Sequence, residues 1–130
     1  MSDLQKARDF FANDKYATFA TGIEIDEVKD KYAKCSVKKD DRNKNALAHV
    51  MGGVMLTLAA FVFAIATNFN QTPTVSTSST INFLSSPKGD ILYGESKLLK
   101  DGKRNCFYEI TITDDLENVI AIVNTTGTHL

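Results

Sequence analysis

Apolar and polar residues alternate along the chain with a period that changes from helical to strand-like. Apolar residues recur at helical spacing from Leu4 to Phe11, which predicts a short amphipathic helix over residues 3–14. Residues 22–28 and 31–38 predict two strands, because apolar and polar positions alternate strictly in the second of them. The first third of the chain is therefore expected to contribute one helix and two strands.

A long uncharged segment occupies the middle of the chain, with no Asp, Glu, Lys or Arg between Lys44 and Lys88. Within it, an apolar run begins at Gly52 and predicts a helix over residues 52–69. The run approaches the length of a membrane span, but it contains many small residues as well as Thr57, and no basic cluster follows it. We therefore favour a buried central helix over the alternative of a membrane span.

The second half of the chain shows the alternation of strands throughout. Strands are predicted near residues 74–84, 90–99, 106–113 and 119–126, and Asp101-Gly102 is a hairpin signal between the second and third of these. An antiparallel sheet that wraps around the long helix accommodates this order of elements. The predicted fold class is therefore α+β, with the helix buried by one sheet face together with a partner subunit.

Composition narrows the classes of function. The chain has 130 residues, 43% hydrophobic residues and a net charge of −1, which is typical of a single globular domain spanning residues 1–130. A nucleic-acid binder is disfavoured because such proteins usually carry a basic excess. The polar N-terminus differs from a signal peptide, so we expect a cytoplasmic location. The two Cys and two His residues lie far apart and predict neither a metal site nor a disulfide framework.

The Gly52-Gly53 pair at the head of the predicted helix is the main candidate for chemistry. A helix start exposes unpaired backbone N–H groups and the positive end of the helix dipole. Glycine lets a ligand approach that backbone closely. The pair therefore predicts a site for a polarised carbonyl or an anion, with no carboxylate on the helix for acid–base work. Close packing between helix and sheet is the alternative interpretation.

The segment from Asn45 to Ala60 resembles the signature of the hotdog-fold acyl-CoA thioesterases, which runs N-x5-HGG-x6-D. The similarity is greatest to the branch that includes the phenylacetate-pathway and 4-hydroxybenzoyl-CoA thioesterases. Downstream segments fit as well, including the Asp101-Gly102-Lys103 hairpin and the closing residues 125–129. The resemblance covers nearly the whole chain from about residue 20. It implies a hotdog fold and hydrolysis of a thioester.

The resemblance also implies roles for individual residues. In this family the first glycine of the pair donates its backbone N–H to the thioester carbonyl, and that position is Gly52. The family's Asn corresponds to Asn45, and the Ser that places the hydrolytic water corresponds to Ser76, which comes from the partner subunit's strand in related enzymes. Coenzyme A enters as part of the substrate, so no separate cofactor and no metal are expected.

Two positions depart from the family pattern. Met51 replaces the His of the signature, and Ala60 replaces the Asp that acts as nucleophile or general base. Thioester hydrolysis at neutral pH needs an activated water, and an oriented base contributes about 10²–10⁴-fold. Two functions therefore stay open at this point: an acyl-CoA thioesterase-like hydrolase, and a catalytically impaired protein that binds acyl-CoA or acyl groups.

The remaining candidate residues are assigned to substrate binding. Gly53, Met51 and Ala60 lie in or beside the signature, and Phe83 with Tyr93 is expected to line an acyl pocket. Lys88 is a candidate contact for the phosphates of coenzyme A.

Three further side chains carry chemistry of their own. His49 is either a general base or an exposed loop residue. Cys35 and Cys106 alternate with polar residues in their strands and are interpreted as buried thiols.

Self-association completes the prediction. An edge strand near residues 74–84 is expected to pair across a two-fold axis, which hides its unpaired backbone groups. The expected assembly is a homodimer or a dimer of dimers, with acyl-CoA or a similar thioester as ligand and no membrane partner.

Overall fold

The computed structural model describes residues 1–130 as one antiparallel sheet of six strands with a long helix packed across it. The strand order in the sheet is β1-β2-β4-β5-β6-β3. This architecture confirms the predicted α+β hotdog fold. Its elements are α1 (Asp3–Phe11), β1 (Glu24–Lys29), β2 (Tyr32–Lys38), α2 (Gly52–Asn68), β3 (Thr74–Phe83), β4 (Ile91–Asp101), β5 (Asn105–Asp114) and β6 (Val119–His129).

The core lies between α2 and one face of the sheet. One cluster of 25 buried apolar residues includes members from α1, α2 and five of the strands. Two glycines let the helix approach the strands closely. A Cβ on Gly94 would come within 3.1 Å of Leu58 and Val62, and one on Gly127 would come within 2.6 Å of Phe63. Larger residues at these two strand positions would push α2 away from the sheet.

One face of α2 stays uncovered within a single chain. Gly53, Leu56 and Ala60 are exposed at helical spacing, whereas Leu58 and Val62 on the sheet side are fully buried. The sheet alone therefore does not bury this apolar helix, as the sequence had indicated. No helix of the structure, α2 included, combines the length and apolar character that crossing a membrane requires.

Strand β3 forms one edge of the sheet and pairs only with β6. Nearly all of its residues are exposed, and Val75 and Phe83 are large apolar side chains among them. The register shifts between Ser76 and Ser78, so Thr77 is an extra residue of the kind found in a β-bulge. An exposed strand edge with apolar side chains is a surface suited to pairing with another chain.

The N-terminal helix is shorter than its pattern predicts. It ends at Phe11, not at residue 14, and a π-helical turn, Tyr16–Ala20, follows it. Asp14 separates the two, because its Oδ1 accepts a hydrogen bond of 3.2 Å from the backbone N–H of Ala17. This local side-chain bond competes with continuation of the helix. The predicted hairpin after β4 is confirmed, with Gly102 N–H donating to Asn105 O at 2.8 Å.

Candidate active site

The start of α2 has free hydrogen-bond donors. Helix α2 begins at Gly52, and Met51 before it is extended, with φ −67° and ψ 136°, and provides no side-chain cap. The backbone N–H groups of Gly52 and Gly53 donate no hydrogen bond within the chain, whereas Val54 N–H donates to Met51 O at 2.9 Å. Two adjacent donors at the positive end of a helix of 17 residues can therefore serve an oxygen of a ligand.

A buried amide holds the chain that enters this helix start. Asn43 Nδ2 donates to Lys38 O at 3.2 Å, and Asn43 Oδ1 accepts from Asp40 N–H at the same distance. The backbone carbonyl of Asn43 in turn accepts from Met51 N–H at 2.9 Å. Asn43 thus ties the end of β2 to the residue immediately before Gly52 and fixes the direction in which α2 begins.

Asn45 organises the loop before α2. Its Oδ1 accepts hydrogen bonds from the backbone N–H groups of Leu47 at 2.9 Å and His49 at 3.1 Å. Its own backbone N–H donates to His49 O at 2.7 Å, and the loop passes through Ala48 with a positive φ of 63°. The side-chain oxygen of Asn45 is therefore occupied by the loop, and only its amide nitrogen has no partner in the chain.

Aromatic and thioether side chains flank the glycine pair. A Cβ placed on Gly52 would come within 2.8 Å of the Phe83 ring, so the end of β3 touches the helix start. A Cβ on Gly53 would lie 3.7 Å from the methyl group of Met51. Met51 and Phe83 are both about half exposed, at 56%. The structure thus brings four of the predicted site residues together around two backbone donors.

Two clefts adjoin the uncovered face of α2. The first, here called the glycine cleft, has a volume of about 230 Å³ and contains Met51 and Gly53 in its wall. Its other lining groups are mostly polar or charged, and they include Thr21, Asp40, Arg42, Asn43 and Lys44. The second, here called the Ala60 cleft, has a volume of about 240 Å³ and is lined by Asp14, Tyr16, Ala17, Leu56, Thr57, Ala60 and Phe61.

Helix α2 itself has no titratable side chain between Gly52 and Asn68. Thr57 is its polar group nearest to the clefts, and its hydroxyl donates to Gly53 O at 2.8 Å. Ala60 is exposed in the wall of the Ala60 cleft, and its methyl side chain can neither donate nor accept a proton. The helix therefore supplies backbone donors and apolar surface but no base.

Three other predicted residues lie away from the glycine pair of the same chain. Ser76 is exposed near the far end of β3, and Lys88 is exposed in the loop between β3 and β4. Lys88 lines neither cleft, so its role at coenzyme A stays a prediction. Tyr93 belongs to a separate cavity with Glu24, Asp26 and Ser36, on the sheet face turned away from α2. The expectation that Tyr93 lines an acyl pocket beside Phe83 is therefore wrong.

The remaining candidates for chemistry are a loop imidazole and two thiols. His49 is exposed and lines neither cleft. Cys35 and Cys106 are both free and buried, as predicted, and burial raises the pKa of each thiol, so both stay protonated. No group of three or more His, Cys, Asp or Glu side chains is arranged to hold a metal ion.

A family model described as the Thioesterase superfamily matches residues 47–121, which is more than half of the chain. The chain belongs to the thioesterase superfamily. The matched segment contains α2 and the strands β3, β4 and β5, and with them Gly52, Ala60 and Ser76. It begins at residue 47, so Asn45 itself lies outside the region that the superfamily model covers, while Leu47 and His49 of its loop lie inside.

Individual members of the thioesterase superfamily are similar to this chain over most of their length. Acyl-coenzyme A thioesterase PaaI of Escherichia coli (strain K12) is 28% identical over 119 residues, which cover 91% of this chain and 84% of that protein. The solved structure of E. coli PaaI superposes with a TM-score of 0.89 at 20% identity, covering 98% of this chain and 94% of that one.

A second solved structure, a hypothetical thioesterase from Streptococcus pneumoniae TIGR4 with coenzyme A, has a TM-score of 0.84 at 20% identity and covers 95% and 96% of the two chains. A third, smu.793 from Streptococcus mutans UA159 bound to acetyl CoA, has a TM-score of 0.78 at 21% identity and covers 83% and 88%. At these identities the likeness to the solved structures establishes the fold.

Three residues beside this thioesterase-superfamily site were not found from the sequence. Asn43 belongs to a run of turn-forming residues, and the sequence does not distinguish the one that is buried from its exposed neighbours. Asp14 and Tyr16 follow α1 directly and reach α2 only through the tertiary fold. The interruption of the amphipathic pattern after Phe11 is the only signal that marks this segment as something other than helix.

Proposed function

We propose that this protein is an acyl-CoA thioesterase that binds the thioester carbonyl at the start of α2. The observation that carries this proposal is the pair of unpaired N–H groups on Gly52 and Gly53. As water adds to a thioester, negative charge develops on the carbonyl oxygen, and backbone donors at a helix start stabilise it. The C–S bond then breaks, the sulfur takes a proton, and the products are a carboxylic acid and coenzyme A.

The relatives support the choice of acyl-CoA as substrate. PaaI of E. coli is named an acyl-coenzyme A thioesterase, and two of the similar solved structures hold coenzyme A or acetyl CoA. Coenzyme A belongs to the substrate in this proposal, so the protein needs no further cofactor.

We propose that the active assembly is a homodimer built through β3, alone or within a dimer of dimers. Strand β3 runs beside α2 in the opposite direction, with Phe83 against Gly52 at one end and Asn68 Nδ2 donating to Thr74 O at 3.1 Å at the other. Ser76 therefore lies roughly 20 Å along the strand from Phe83 of the same chain. Within one chain, Ser76 therefore does not reach the helix start at Gly52.

A two-fold axis near the middle of β3 would solve this separation. It would pair β3 antiparallel with the same strand of a second copy and bring the partner's Ser76 to the level of Phe83 and Gly52. The exposed apolar side chains of Val75 and Phe83 support such an interface. In this arrangement the backbone N–H groups that donate to the thioester carbonyl come from one chain. The Ser76 hydroxyl that places the water comes from the other.

Asn45 has a revised role in this proposal. Because its Oδ1 holds the loop of residues 45–49, it positions the helix start and has only its amide Nδ2 to offer a ligand. Its truncation should therefore loosen the loop as well as the site.

A second function is favoured by one observation, the lack of any titratable group on α2. A protein that keeps the carbonyl site without a base would bind acyl-CoA and not hydrolyse it. The two functions share the ligand and differ only in turnover.

Hydrolysis of short, medium and aromatic acyl-CoAs by the native chain and by Ala60→Asp tests the proposal. Turnover by the native chain supports a thioesterase that works without a carboxylate on α2. Turnover by Ala60→Asp alone, with acyl-CoA binding by both proteins, supports the binding function. Absence of both binding and turnover in the two proteins would contradict the acyl-CoA assignment altogether.

The domain and the compartment are also proposals. Residues 1–130 are proposed to act as one domain, supported by the single cluster of 25 buried apolar residues that joins both halves of the chain. A cytoplasmic location is supported by the two free thiols, which reducing compartments keep in that form.

A further inference from the structure

The last residue of α2 holds the first residue of β3. Asn68 Oδ1 accepts a hydrogen bond from the Thr74 N–H at 2.8 Å, and Asn68 Nδ2 donates to Thr74 O at 3.1 Å. The same Nδ2 donates to Ala64 O at 2.9 Å, so the helix itself orients the amide. Thr74 is buried. Asn68 therefore ties the place where β3 begins to the C-terminal end of α2.

Ser76 follows this tie by two residues, and only the backbone sets its position. It is exposed, and no hydrogen bond within the chain holds its hydroxyl. A β-bulge comes directly after it, and Thr77 Oγ1 donates to Thr126 O at 3.1 Å there. Bulges re-aim side chains and are common beside active sites. The strand is thus fixed on both sides of Ser76, by Asn68 before it and by the bulge after it.

Helix α2 spans the distance between the two parts of the proposed site. It begins at Gly52, beside Phe83, and ends at Asn68, beside the start of β3. Its 17 residues form a rod roughly 25 Å long. In the proposed dimer, Gly52 serves the site of its own chain, whereas the start of β3 and its Ser76 serve the site of the other chain. Each α2 therefore reaches both sites.

We propose that Asn68 is a positioning residue for the second site of the dimer, because it fixes the strand that supplies Ser76 to that site. This inference rests on the proposed function, since it assumes a thioester at the glycine pair and a two-fold pairing of β3. Asn43 is its counterpart at the other end of the helix. Its carbonyl accepts from the Met51 N–H next to Gly52, so it acts on the site of its own chain.

Steady-state hydrolysis of acetyl-, hexanoyl- and benzoyl-CoA measures the expected effect in whichever background, native or Ala60→Asp, shows turnover. Asn68→Ala should lower kcat about tenfold or more, because a small displacement of the group that places the attacking water is costly. KM should stay within about twofold, because the glycine pair that holds the carbonyl is unchanged. Gln71→Ala is the matched control. Gln71 Nε2 donates to Ala66 O at 2.7 Å near the same helix end and not to β3, so kcat should be retained.

Mixing variants shows which of the two sites Asn68 serves. When Asn68→Ala is mixed with Gly52→Ala, one site of each mixed dimer combines a native glycine pair with a correctly held Ser76. Random exchange makes half of the dimers mixed, so roughly a quarter of the unmutated activity should return. Mixing Asn68→Ala with Ser76→Ala should restore no activity, because every site then receives a missing or misplaced hydroxyl. Asn43→Ala should show the reverse pattern, with recovery only beside Ser76→Ala.

Asn68→Ser keeps the test decisive if Asn68→Ala does not fold. A serine hydroxyl can still donate to Ala64 O one turn back in the helix, as Thr67 donates to Phe63 O at 2.7 Å, but it is too short to reach Thr74. The fall in kcat and the pattern in the two mixtures should therefore be the same. Urea unfolding and sedimentation establish that each variant folds and associates before the mixtures are compared.

The outcomes separate this inference from the proposed function. If neither background hydrolyses any of the acyl-CoAs, or if Gly52→Ala and Ser76→Ala do not restore each other, the proposed function fails and the inference with it. If that pair does recover but the Asn68 variants keep their kcat, only the inference is overturned. Recovery of the Asn68 variants with Ser76→Ala in place of Gly52→Ala would assign Asn68 to the site of its own chain. Recovery with both or with neither would show a general loss of structure, which also overturns the inference.

Discussion

At the scale of single residues, Gly52 and Gly53 look alike in sequence but have different surroundings. A Cβ on Gly52 would reach within 2.8 Å of the Phe83 ring, whereas one on Gly53 would make an ordinary contact of 3.7 Å with Met51. Gly53 is exposed and Gly52 is half-buried. Only the first glycine is therefore required by a close approach of another side chain.

This difference predicts opposite effects of alanine on stability. Gly53→Ala should raise the free energy of unfolding by up to about 1 kcal/mol, because alanine is the better helix former. Gly52→Ala should lack this gain, because the Phe83 ring must move, and should weaken acyl-CoA binding about tenfold or more. Urea unfolding and acyl-CoA titration measure the two effects.

Phe83→Ala supplies the control for this comparison. With the ring removed, Gly52→Ala should recover the stability gain that Gly53→Ala shows. If Gly52→Ala has the same effect on the free energy of unfolding in the Phe83→Ala background, the contact between the helix start and β3 does not contribute to stability.

Asp114 is a second single residue on which the fold depends. This buried carboxylate accepts hydrogen bonds from the backbone N–H groups of Lys88, Gly89, Leu116 and Asn118, and also from the Asn118 side chain. Burial acts to raise its pKa, but the bonds from Asn118, Lys88 and Gly89 outweigh burial and hold the pKa well below its ordinary value. The carboxylate thereby joins the loop before β4 to the turn after β5.

Asp114→Asn should therefore lower the free energy of unfolding by about 2–3 kcal/mol at pH 7, since charged acceptors are lost. The folded-state pKa lies below the unfolded value of about 4, so the stabilisation is complete above that value and is lost as the pH falls through the folded-state pKa. The difference between native and variant proteins should narrow between pH 5 and about pH 2. Urea midpoints across that range measure it, and a constant difference would contradict the assignment.

The sequence predicted the roles of some single residues in the site and only part of the role of others. The glycine pair was recognisable because its position at the start of an apolar run already indicates free donors. The function of Asn45 was only partly recognisable, because its Oδ1 is occupied by the N–H groups of Leu47 and His49. That arrangement depends on the positive φ of Ala48, which no pattern in the sequence predicts.

At the scale of elements, the sequence predicted the order and type of all six strands and of the long helix, because strict alternation and a long apolar run leave few alternatives. The π-helical turn Tyr16–Ala20 was missed, because it depends on the hydrogen bond from Ala17 N–H to Asp14 Oδ1 and on packing against α2 rather than on periodicity. The predicted edge position of the strand near residues 74–84 is confirmed, because β3 ends the strand order of the sheet.

The free edge of β3 carries the next prediction. Thr80→Lys places a charge on the exposed middle of the strand, and a two-fold axis there would bring two such charges close together. We expect the dimer dissociation constant to rise about tenfold or more, as measured by sedimentation at low ionic strength. Asp26→Lys on β1, the opposite edge of the sheet, is the matched control and should leave the association unchanged.

At the scale of the whole molecule, the central question is whether one chain contains a complete site. Gly52 lies at one end of the pairing between α2 and β3, and Ser76 lies at the other. If the functional site combines the glycine pair of one chain with the partner's Ser76, two different inactive chains can complete each other.

Mixing Gly52→Ala with Ser76→Ala tests this composite site directly in whichever background, native or Ala60→Asp, shows turnover. A mixed dimer would contain one site with both native residues and one with neither. Random exchange makes half of the dimers mixed, so roughly a quarter of the unmutated activity should return, whereas each variant alone should stay impaired. Sites contained within single chains would gain nothing from mixing, because every chain carries a defect. Recovery in proportion to the mixed dimers would therefore show that pairing at β3 creates the site as well as hiding the sheet edge.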